Sequence, residues 1–142
     1  MAAYIRQRPP RWFWLTGLAA TLWGLLGVFA FLLYAAYGAI LFPAPADPFS
    51  DALPTWFGIV YACTAGSALL GGIALMTRSA LARLLFLASL AFLLVQSAYL
   101  LLGTPVVPQF GWSTLLVPLL LIAVAGGEIW FADYARRHGW IC

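Results

Sequence analysis

Apolar residues fall in four long runs along this chain, and polar residues cluster in the gaps between them. The runs cover about 12–42, 53–76, 80–102 and 109–133. Each reaches the roughly 20 residues that an α-helix needs to cross the hydrocarbon core of a bilayer. The pattern predicts an all-α polytopic membrane protein, a four-transmembrane-helix bundle, with residues 1–142 as one transmembrane domain.

Helix-breaking residues punctuate the runs. Pro9-Pro10 keeps the N-terminal segment extended, so the first helix starts after it. Pro43, Pro45 and Pro48 end that helix. Asp51 is the expected N-cap of the second helix, with Pro54 in its first turn. The tight turn Met76-Thr77-Arg78-Ser79 predicts an antiparallel hairpin of the second and third helices, with Ser79 capping the third. Gly103 stops that helix, and Pro105 follows. Pro118 is expected to kink the fourth span, with Ser113 and Thr114 near the carbonyl it frees.

Charge orients the spans. The seven basic residues are all arginines: Arg6, Arg8, Arg11, Arg78, Arg83, Arg136 and Arg137. They precede the first run, flank the turn between the second and third, and follow the fourth. The other two connections carry none. This is the positive-inside pattern of a chain with both termini in the cytoplasm. Tryptophan agrees: Trp12, Trp14, Trp130 and Trp140 mark the inner interface, and Trp56 and Trp112 the outer. Trp23 alone falls clearly mid-membrane.

Composition narrows the function. The chain is 65% hydrophobic and 8% charged, against about a quarter charged in soluble domains. Nearly every residue is used in spanning, which leaves no room for a soluble catalytic domain. The net charge of +3 sits in pairs and triplets at helix ends, suited to anionic headgroups and not to nucleic acid. The segment before the first run resembles a signal-peptide n-region, and Ala44-Pro45-Ala46 a cleavage site. The apolar run between them is about twice the usual 7 to 15 residues, so the first helix is expected to be retained. Cys63 and Cys142 fall at different depths and are expected to stay unpaired, Cys63 as a small packing residue.

Few side chains carry candidate chemistry. Glu128 lies about one turn inside the cytoplasmic end of the fourth span. An acid there can carry protons or bind a cation. The structural alternative is an ion pair with Arg83, Arg78 or Arg11, or interfacial solvation. Asp133 balances Arg136 and Arg137. Gln96 lies in the third span, where lipid satisfies none of its donors or acceptor. Gln96 and Tyr99 share a helix face, and Tyr61 can oppose them. Gln96, Tyr99, Tyr61 and Glu128 are therefore the candidate polar pocket or pore residues; the alternative for Gln96 is an interhelical hydrogen bond. In the second span Ser67 and Gly71, and Ala68 and Gly72, are four apart, a spacing that lets another helix backbone approach closely. These four are the helix-association candidates.

Missing motifs exclude several enzyme classes. His138 is the single histidine, so bis-histidine haem within one chain is excluded. No Cys/His cluster, cysteine pair, Ser-His-Asp set or phosphate-binding loop stands in the sequence. Neither catalysis nor a cofactor is expected.

The run Pro9-Pro10-Arg11-Trp12-Phe13-Trp14, with Leu22-Trp23 and Gly27-Val28, is followed by Pro54-Thr55-Trp56, Tyr61-Ala62, Gly66 and Leu70-Gly71. Leu85-Phe86, Ser89-Leu90, Val95-Gln96, Tyr99, Trp130-Phe131 and Gly139-Trp140 complete the set. Together these resemble a family of small four-helix bacterial inner-membrane proteins often provisionally labelled "sugar transporter". The resemblance implies the four-span topology, a bacterial inner membrane and, weakly, transport. It brings no site residues.

Two functional readings follow. The first is a non-enzymatic membrane protein acting by helix association, as an accessory subunit of a membrane complex or a homo-oligomer. The second is a small oligomeric transporter or channel for a polar solute, such as a sugar. Polar content alone ranks association first.

Overall fold

The computed structural model describes residues 8–37, 54–103, 108 and 111–141. Asp47, Asp51, Cys142 and the outer loop lie outside the described residues, so the expected Asp51 cap does too. The described residues include four long α-helices: α1 (Arg11–Tyr37), α2 (Thr55–Met76), α3 (Leu81–Leu102) and α4 (Leu116–Arg137). A 3-10 turn, Trp112–Leu115, leads into α4. No strand occurs among the described residues. All four helices are long and apolar enough to cross a membrane.

Large apolar side chains are exposed on every helix, including Leu22 and Phe29 on α1, Ile59 and Leu70 on α2, Leu84 and Leu94 on α3, and Leu119 and Trp130 on α4. Water does not tolerate apolar surface on this scale, whereas lipid tails do. The chain is thus a multi-pass membrane protein.

Each helix packs on the next one in the chain. The closest approach is between α1 and α2. A Cβ added at Gly24 would lie 2.5 Å from the Cα of Leu69, and one at Gly72 would lie 2.8 Å from the Cα of Thr21. Only glycine lets the two backbones come so near. Gly71 faces the other way and receives the edge of the Phe86 ring from α3, with a notional Cβ 2.7 Å away. The α2–α3 seam is further held by Ser89, whose hydroxyl donates to the Thr64 carbonyl at 3.1 Å.

The main core lies at the arginine-bearing end. Phe13, Leu75, Phe86, Phe131, Trp140 and Ile141 meet there, with small alanines between the helices. Two helix ends build it by the same device. At the end of α2, the Arg78 amide donates to Leu75 and the Ser79 amide to Ala74. At the end of α4, the Gly139 amide donates to Arg136 and the Trp140 amide to Ala135. Both are Schellman motifs, which need a left-handed residue one past the cap. Gly139 takes that conformation freely, at φ 68°. Arg78 adopts it at φ 60° despite its side chain. Its Nε donates to the Trp140 carbonyl at 2.6 Å, tying the two chain reversals together.

Several expectations shift. Trp140 lies at the arginine-bearing end, the side expected of it, but is buried there, because the turn at Gly139 folds the tail back under the bundle. Cys63 is exposed on α2 and fills no packing site. Pro118 is the third residue of α4, directly after the 3-10 turn, so it lies at the start of that helix and not inside it. Ser79 is not the cap of α3, whose N-cap is Ala80; it stands one residue earlier, where its hydroxyl accepts from the Leu81 amide at 3.3 Å.

Candidate functional site

The glycine contacts draw α1 towards α2 and leave a gap between α1 and α4. At the arginine-bearing end aromatic rings bridge that gap. Trp12 lies edge-on to Phe131 and to Trp140, with centroids 5.7 and 5.2 Å apart. Phe13 packs on Phe131 at 5.9 Å. Each such pair contributes about 0.5–1.5 kcal/mol beyond the area it buries.

Above this aromatic floor the gap widens into a cleft of about 330 Å³. Ala19, Ala20 and Trp23 of α1 form one side, and Val124, Gly127 and Glu128 of α4 the other. Leu75 of α2 and Phe86 of α3 close the back, and Phe131 the floor. Nothing lies within 4 Å of where a Gly127 Cβ would stand, so that wall is open. Thr16 also lines the cleft, but its hydroxyl donates to the Trp12 carbonyl at 2.9 Å in its own helix.

Glu128 is the charged group of the cleft. Its Oε1 is buried and has no hydrogen-bond partner. Of the ion pairs open to Glu128, with Arg83, Arg78 or Arg11, none is present among the described residues. Arg83 instead turns to Asp133, 3.6 Å away, and Asp133 also holds Arg137 at 2.8 Å across one helical turn. The reason is register: Asp133 stands more than one turn nearer the helix end, level with the arginines. Asp133 therefore balances Arg137 and Arg83, and no bond to Arg136 is present among the described residues. Glu128 is left at the cleft wall without an ion pair.

The other candidate pocket residues sit elsewhere. Gln96 lies about 20 Å along α3 from Arg83, at 1.5 Å per residue, which places it roughly 12 Å from the level of Glu128. Thr64 Oγ1 is 3.5 Å from Gln96 Oε1 and 2.9 Å from the Val60 carbonyl. One hydroxyl proton serves both acceptors, so the bond to Gln96 is the weaker. Tyr99 stacks edge-on against Trp56, at 4.7 Å. Tyr61 faces α1, against Phe31 and Tyr34, both at 5.6 Å. Tyr61 and Tyr99 thus engage different partners, and no contact joins either of them to Glu128 among the described residues.

The association candidates are engaged within the chain to different degrees. Gly71 and Gly72 pack on Phe86 and Thr21, and the Ala68 backbone lies 3.1 Å from a notional Gly24 Cβ. Ser67 donates its hydroxyl to the Cys63 carbonyl of its own helix. Gly66 and Gly126, by contrast, face open space.

The lining residues Trp23, Phe86 and Gly127 are not legible as site residues in the sequence. The one hint is Trp23, the single tryptophan placed mid-membrane. Among the described residues no cluster of metal-ligating side chains forms. In comparisons with known proteins, no family model, no curated protein and no solved structure matches this chain.

Proposed function

We propose that this chain is a non-enzymatic bacterial inner-membrane protein, with both termini cytoplasmic, that works as a small oligomeric transporter with its solute site in the α1–α4 cleft. One observation carries this reading: a buried carboxylate oxygen without a partner, at the wall of a cleft large enough for a small molecule. Acids inside spans are costly, and they stand where something needs them. A single four-helix chain is thin for an alternating-access path, so a second copy is part of the proposal.

Flux into vesicles reconstituted with the full chain tests it. Wild-type protein is expected to move a solute, and Glu128→Gln to abolish that flux while the protein stays folded. If well-folded wild-type protein moves none of a panel of cations, amines and sugars, transport is removed. Reporter fusions after Arg137 and within residues 43–54 test the topology; like signals from both would overturn it.

A second reading, an accessory subunit acting by helix association, draws on Gly66 and Gly126, small residues with open space before them. Mass and partners after gentle extraction separate the two. A fixed complex with another membrane protein favours the accessory role.

A further inference from the structure

The cleft has the chemistry of one class of solute. Its walls are hydrocarbon and aromatic, apart from Glu128 and the self-satisfied Thr16. A sugar would bring many hydroxyls and find almost nothing to bond them. A bare metal ion would need several oxygen ligands, and the cleft offers a single carboxylate. A body that is apolar outside and positively charged inside meets both demands. The ring of Trp23 at the wall suits it, since ring faces attract cations. The nearby cation Arg83 is turned to Asp133 and does not neutralise Glu128. Gly127, with nothing within 4 Å of its notional Cβ, leaves space beside the carboxylate. A volume of about 330 Å³ suits one small molecule.

We propose that the α1–α4 cleft binds a lipophilic organic cation, a quaternary or protonated amine carrying about one ring, with the Glu128 carboxylate as counter-charge and the ring of Trp23 as a wall. The proposal rests on the reading of the cleft as a solute site and names the solute class. The amine has two conceivable sources, a free small molecule or a lipid headgroup, and the chemistry at Glu128 is the same for both.

Equilibrium binding of radiolabelled benzyltrimethylammonium to the full chain in phosphatidylglycerol nanodiscs is the test. Saturable binding is expected, displaced by the unlabelled cation but not by neopentylbenzene, its neutral isostere. Glu128→Gln should weaken binding at least ~10-fold, since a charge–charge attraction in a half-buried site is lost. Gly127→Leu should abolish it by filling the cleft, and Arg137→Gln should leave it unchanged. Displacement by added phosphatidylethanolamine would support the cation site and identify a lipid amine as its occupant; no displacement would support it with a free amine. Equal displacement by neopentylbenzene overturns the proposal using wild-type protein alone, whatever the variants do. So does undiminished binding to Glu128→Gln. Absence of saturable binding also overturns it, while Glu128-dependent flux of another solute would keep the transport reading standing.

Discussion

Helix α1 meets α2 and α4 in opposite ways. Against α2 it is closed along its middle, where Gly24 and Gly72 bring backbone to backbone. Against α4 it is joined by rings at one end and parts above them into the cleft. Glycine stands on both sides of this contrast. Gly24 has no room for a methyl group, whereas Gly127 has nothing within 4 Å of one. The same residue type marks a tight seam in one place and an open cleft in another. A small residue in a membrane helix therefore states that close approach is permitted; the neighbour decides whether it occurs.

The largest effect should come from breaking the closed seam. Gly24→Leu would drive a side chain into the Leu69 backbone, and overpacking a tight contact costs about 3 kcal/mol or more when backbone must move. Thermal unfolding in detergent should show a collapse of stability, while Gly127→Leu in the same assay should unfold near the wild-type temperature. Similar losses from both would mean that the seam and the cleft do not differ as described.

Next comes the ring cluster that joins α1 to α4. Trp140→Ala removes a buried ring and part of the floor of the gap, at a cost of about 3 kcal/mol. Proteolysis of the C-terminal tail should accelerate with it. A tail as resistant as wild type would place Trp140 outside the core.

A smaller loss is expected at Gln96→Leu, about 0.6 kcal/mol, the usual worth of an interhelical side-chain hydrogen bond in a membrane. Its bond from Thr64 is long and shared with Val60. Flux through reconstituted vesicles should persist. Abolished flux with unchanged stability would move the solute site from the cleft to the α2–α3 seam.

The smallest effect on stability belongs to Glu128→Gln. A carboxyl oxygen buried without a partner makes no bond that an amide in its place would lose, so the variant should unfold no earlier than wild type. A marked loss of stability would show that Glu128 holds the fold through a partner after all. Like Gly127→Leu, this change is expected to leave the fold and remove the activity.

Much of the architecture was readable in the residues. Run length and charge scarcity sufficed for four spans, because the cost of crossing a bilayer depends on composition summed over a window and not on any neighbour. The hairpin of α2 and α3 followed from a turn too short for anything else. The site was less readable. Glu128 stood out as an acid in a span, and its expected ion pair with Arg83 failed on a register difference of five residues that favours Asp133. Trp140 carried the composition of an interface anchor, and a left-handed glycine beside it turned it inward.

The sequence by itself determined that this chain makes four membrane-spanning helices, which ends carry arginine, and that Glu128 and Gln96 are the polar exceptions. Tertiary structure alone decided that Gly24, Gly71 and Gly72 are spent on packing inside the chain, that Gln96 has a partner, and that Glu128 Oε1 is buried beside a cleft with none. The physical reason is range. Insertion into lipid is a property of each segment taken singly, whereas the partner of a side chain depends on the rotation and register of a second helix, which no single segment encodes.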